Sequence, residues 1–206
     1  MSRSYRTQKE SVIAERRMPR DNNGDIEYPR VVERKASRGD IHPLSKSALN
    51  RLFRNMLPIE YLYGLKRIEL RPRKNSRIGC PFGEYQWDER VIRLYSLPLE
   101  WNLDYFDKEL LDSITKYHKN IGPAESGERL IYVKWPEEPM LGMWYYSYVL
   151  THELGHHFNE QYKAKKKRLQ TFRHEEMVAD LHSKRLTAEL HKELERRVKA
   201  RKPASE

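Results

Sequence analysis

Thr151-His152-Glu153-Leu154-Gly155-His156-His157 is the segment whose residue types and spacing can do chemistry. It contains His-Glu-x-x-His, the arrangement by which one helical turn presents two imidazoles to one metal ion. At about 100° per residue, His152 and His156 lie about 40° apart around a helix and about 6 Å apart along it. Their nitrogens can converge on one cation and leave its other positions open. Glu153 stands beside the pair, where its carboxylate can take a proton from water held by the cation without itself ligating. Chance explains little: eight histidines and twenty-two glutamates in 206 residues give about 0.03 such matches per chain.

Catalytic zinc sites take three ligands from the protein, so a third is needed. Glu160 follows His156 by four residues, but on an unbroken helix it lies about 12 Å beyond His152, out of reach of a shared ion. His157 is turned about 100° from His156 and is better placed to contact neighbouring structure or a substrate. The stronger candidates are downstream, in His174-Glu175-Glu176-Met177-Val178-Ala179-Asp180. Glu176 and Asp180 are four apart and share a helical face. A carboxylate one turn after a ligating glutamate can accept the free N–H of a ligating histidine and fix its tautomer. Glu175 has Ala179 at the equivalent position, so Glu176 is preferred to it as third ligand.

The elements that must hold these residues are legible in outline. Met143, Trp144, Tyr146, Tyr148, Val149 and Leu150 precede the motif, so a helix over 141–162 enters from a buried aromatic region. A second helix is expected over 171–201. Upstream, Ser45 caps a helix ending near Leu57, before Pro58. Period-two alternation marks strands at 65–71, 83–87, 91–95 and 130–135, the middle two joined as a hairpin. Apolar spacing predicts a further helix over 104–119. Residues 1–40 read as a mobile basic arm, with short ordered pieces where Ile26, Tyr28, Val31 and Val32 touch the domain; 41–206 read as one α+β domain.

Composition narrows the class. The apolar fraction is 38% and charged residues reach 34%, enough for one core and against a collagen-like or low-complexity chain. No apolar run is long enough to span a membrane and the N-terminus lacks the apolar block of a signal peptide, so a soluble, cytoplasmic protein is expected. The single cysteine, Cys80, excludes an internal disulfide framework and reads as structural or incidental. The net charge of +10 sits in the flanks, with residues 41–160 neutral. Lys163–Arg168 and the interleaved cations of the last helix read as solvated faces, or as surfaces for nucleic acid or an acidic partner.

His152-Glu153-Leu154-Gly155-His156 followed by Glu176-x-x-x-Asp180 resembles the gluzincin group of zinc metallopeptidases. The specific match covers residues 151–180, and element order extends it loosely over 65–200. The resemblance implies a zincin-like fold, with a small mixed sheet, an active-site helix and a C-terminal glutamate-bearing helix. It implies one zinc ion per chain on His152, His156 and Glu176, with Glu153 as general base and Asp180 behind a ligand. It also implies an intracellular endopeptidase acting on protein or peptide substrates, similar to compact members that cleave transcriptional repressors. An edge strand, either 130–135 or the hairpin at 84–95, is expected to pair with extended substrate. For the oxyanion, Tyr162, His174 and His182 are candidates without a choice among them, His182 being on another helical face from Glu176. The alternative is a weak or inactive protein of the same fold that binds nucleic acid or an acidic partner through its basic ends.

Overall fold

The strand signals resolve into two separate sheets in the computed structural model, which describes residues 17–74, 81–104, 112, 114, 122–123, 130–135, 138–162 and 172–201. Strands β1 (Arg30–Glu33), β2 (Arg67–Arg71), β3 (Gly83–Gln86) and β4 (Val91–Tyr95) form a mixed sheet in the order β1-β2-β4-β3. β1 and β4 run parallel to β2, and β3 returns antiparallel to β4. β5 (Glu100–Asp104), β6 (Gly122–Pro123) and β7 (Leu130–Lys134) make an antiparallel sheet in the order β5-β7-β6. The class is α+β, as expected.

β1 lies inside the segment expected as an arm. It covers one edge of β2, and Val31 and Met18 are buried with the core. Four residues are too few for alternation to register in the sequence. On β2, Ile68 and Leu70 face the core while Arg67, Glu69 and Arg71 take the other face, as a period of two requires. Burial alone would raise the Glu69 carboxyl, but hydrogen bonds from Arg67 (2.6 Å) and Arg71 (2.7 Å) outweigh it and hold it low.

Helix α1 (Lys46–Asn55) starts where the Ser45 hydroxyl accepts the Ala48 N–H, and it buries Leu49 and Phe53. The helix expected over 104–119 lies almost wholly outside the described residues, although Ile114 is buried. Cys80 and Lys163–Arg168 also lie outside them. The expected helix at 141–162 is α2 (Glu138–Tyr145), a π-helical turn (Tyr146–Leu150) and α3 (Thr151–Tyr162) in unbroken succession. Helix α4 (Phe172–Arg201) packs along α3. No helix among the described residues is long and apolar enough to cross a membrane.

Trp144 ties the layers together. Its fully buried ring meets Phe82 before β3, Trp101 of β5, Trp135 after β7 and Tyr148, at centroid distances of 5.5 to 5.7 Å. The next residue, Tyr145, shares its hydroxyl proton between the carbonyls of Phe82 (2.6 Å) and Tyr95 (2.9 Å). The rod of helices is thereby bolted to the β3–β4 pair.

In the π turn, the Thr151 N–H bonds to the Tyr146 carbonyl and bypasses that of Ser147. A buried carbonyl without a donor is costly. The hydroxyls of Thr151, Ser183 and Thr187 meet it instead, at 2.8, 3.2 and 3.1 Å. Two of the three come from α4, so the irregularity fastens the two helices.

Candidate metal centre

The two helices approach closely at Gly155. A Cβ placed there would stand 2.6 Å from the Ala179 carbonyl oxygen and 2.8 Å from its Cα. Only glycine permits this spacing, and it brings Glu176, one turn before Ala179, against the two histidines.

The Nε2 atoms of His152 and His156 are 3.0 Å apart. Glu176 Oε2 lies 3.2 Å from His152 Nε2, and Oε1 lies 3.5 Å from His156 Nε2. The edges of a zinc tetrahedron with bonds of about 2.05 Å measure about 3.3 Å. The three side chains therefore fit one small cation, each offering an atom within 4.8 Å of the others. His152 Nδ1 is 2.9 Å from Asp180 Oδ1, which holds that N–H and leaves the Nε2 lone pair directed at the group. Burial, assisted by the neighbouring His152, lowers the pKa of His156 and favours its neutral, ligating form.

Glu153 is buried beside this group. Burial pushes its carboxyl up to about 8 and the Glu176 charge adds to this, while a hydrogen bond from the Tyr85 backbone N–H pulls the other way. The space for it comes from Gly83, where a Cβ would stand 2.8 Å from Val149 Cγ1 and 3.1 Å from Glu153 Cγ.

A cleft of about 1010 Å³ opens between β3, α3 and the start of α4. Its lining includes Gly83, Tyr85, Trp87, His152, Glu153, His156, Glu160, Glu175 and Glu176. β3 is an edge strand. The Tyr95 N–H bonds to Phe82 O, so by antiparallel alternation Glu84 and Gln86 pair inward with β4, while Gly83 and Tyr85 turn their backbone groups to the open edge. Of the two strands expected to meet substrate, the hairpin lines the cleft; the described residues lining it include none from 130–135.

His152, His156 and Glu176 thus come together, with Asp180 behind the first histidine and Glu153 alongside. Glu175 lines the cleft and its charge reaches His156, but it offers no atom to the three-residue group. His157 contacts neighbouring structure: it donates from Nε2 to Tyr63 O (2.9 Å), and its Nδ1 accepts from the Tyr85 hydroxyl (3.1 Å). Burial drops its pKa to about 4.

None of the three oxyanion candidates lines the cleft. Tyr162 packs on Tyr63 and Phe158, His182 lies 2.8 Å from the Tyr61 hydroxyl, and His174 is exposed. Sequence reasoning missed Gly83 and Gly155 as spacers. The available signals were a lone glycine opening a strand and a glycine inside a helical pattern, both marks of close backbone approach.

No protein-family model, no curated protein sequence and no solved structure matches this chain.

Proposed function

We propose that the chain is a zinc-dependent endopeptidase of zincin-like fold, with His152, His156 and Glu176 as ligands. The observation that carries this reading is the convergence of three side chains, two imidazoles and a carboxyl group, whose ligand atoms lie 3.0 to 3.5 Å apart beside the buried side chain of Glu153. When bound, zinc supplies a Lewis acid that makes water acidic near neutral pH and polarises a carbonyl. Asp180 holds the Nδ1 proton of His152 and so fixes its ring. Glu153 takes the proton of the attacking water on its carboxylate and returns it to the departing amine nitrogen. The open edge of β3 offers the backbone groups of Gly83 and the carbonyl of Tyr85, whose N–H is held by Glu153, to an extended peptide, which supports a peptide substrate over a small molecule.

The test is metal analysis of the purified protein joined to a peptide-cleavage assay. One zinc per chain is expected, lost in His156→Ala and Glu176→Ala and kept in Glu175→Ala. Glu153→Gln should keep the metal and lose cleavage by about 10²-fold or more. Absence of zinc after reconstitution, or undiminished cleavage by Glu153→Gln, would overturn the proposal.

A further inference from the structure

The cleft has the opposite charge to the chain. Among the described residues, five glutamates line it (Glu84, Glu153, Glu160, Glu175 and Glu176) and no lysine or arginine does, although the chain carries +10. Glu153 and Glu176 belong to the metal centre. Glu84 is held by Lys74 Nζ at 2.6 Å and by the Tyr95 hydroxyl at 2.9 Å. Glu160 differs in position: it is exposed, in the last turn of α3, where the helix terminus adds its own partial negative charge. Its charge is felt at Tyr85 on the opposite wall. On that wall Trp87, 71% exposed, follows the end of β3 and lines the cleft. Arg90, further round the hairpin, is not among the lining residues.

An exposed indole on one wall of a groove and an exposed carboxylate on the other suit a cationic side chain, which one receives through its π face and the other through charge. We propose that Trp87 and Glu160 determine specificity by selecting peptides with arginine or lysine near the cleaved bond, an inference that rests on the peptidase reading. Glu160 is one turn from His156, about 6 Å along the helix. Extended peptide advances about 3.3 Å per residue, so the cation falls within about two residues of the bond.

The probe is a pair of short fluorescein-labelled alanine–glycine peptides that differ at one residue, arginine or its uncharged isostere citrulline. Affinity is read by anisotropy on full-length Glu153→Gln protein, with and without added zinc. The peptides differ by one positive charge, so repulsion by the rest of the +10 chain acts on the arginine peptide alone and works against the expected preference; the effect of Trp87→Ala and Glu160→Gln isolates the cleft. The arginine peptide should bind about tenfold tighter, and either substitution should cut that ratio below about threefold. Both sites are exposed, so the fold should survive. Equal affinity for the two peptides, or a ratio that both variants preserve, would overturn the proposal. Cleavage by the wild type is scored separately by mass spectrometry: selective binding without cleavage removes the peptidase reading while upholding the charge selectivity.

Discussion

Substituting Gly155→Ala tests whether the spacing of α3 and α4 sets the metal centre. The added methyl would meet backbone atoms of Ala179 at 2.6, 2.8 and 3.1 Å, and no rotamer can relieve a contact with backbone. Ordinary contact begins near 3.4 Å, so the helices must part by about 0.6 to 0.8 Å. Ligand distances at a zinc site tolerate about 0.2 Å. The shift therefore withdraws Glu176 from His152 and His156 by several times the tolerance. Zinc affinity should fall by at least tenfold, measured by competition with a chromophoric chelator at constant pH. Overpacking should also cost about 1–3 kcal/mol of stability in the metal-free protein, measured by urea unfolding in excess chelator. Gly142→Ala provides the comparison: its Cβ would meet the Pro43 carbonyl at 2.8 Å, away from the ligands. That variant should lose stability and keep wild-type zinc affinity. A folded Gly155→Ala protein that binds zinc within twofold of wild type would refute the reasoning.

Two other outcomes follow from the same geometry. Asp180→Asn removes the carboxylate 2.9 Å from His152 Nδ1. It should weaken zinc binding by about 10- to 100-fold without changing the fold, as read by chelator competition and far-UV circular dichroism; unchanged affinity would deny Asp180 its orienting role. His182 is pushed down to about 4 by burial, against 6.5 for the ordinary imidazole, so between these values the unfolded chain binds the proton and the folded chain does not. Stability should rise with pH across that window and be lost as pH falls through it, by roughly 2 kcal/mol once partial exposure is allowed for. Urea titrations at both ends should show His182→Gln flattening the dependence; an equal slope in the variant would assign it elsewhere.

The site was more legible than the scaffold, and the reason is range. His152, Glu153 and His156 lie within one turn, where helical geometry alone fixes their relation. Glu176 could be chosen over Glu175 because Asp180 completes a chemical pairing one turn later, and that pairing occurs at 2.9 Å. The division into two sheets was hidden because strand pairing is non-local: β1 joins β2 across more than thirty residues of chain. Nor does any local pattern announce the π turn. The groups that satisfy the Ser147 carbonyl from α4 lie 36 and 40 residues away. The oxyanion candidates missed the cleft for a similar cause. Their aromatic and imidazole rings pack on Tyr61, Tyr63 and Phe158, or point to solvent, which only tertiary packing decides.

The π turn also sets a bearing. A turn that holds one residue more than an α-helix needs sets everything downstream back by about 100° from where an unbroken α-helix of the same residues would put it. Upstream, Trp144 and Tyr145 are locked to the sheets; downstream, His152 and His156 must face the cleft. The direction of the imidazoles thus depends on the turn holding that extra residue: the same residues wound as an unbroken α-helix would swing the histidine pair out of line with Glu176. Loss of a single codon from 146–150 would instead let the rod close as a plain α-helix with the pair still facing α4. What such a lineage would give up is the bypassed carbonyl of Ser147, and with it the hydroxyls from α4 that fasten the two helices.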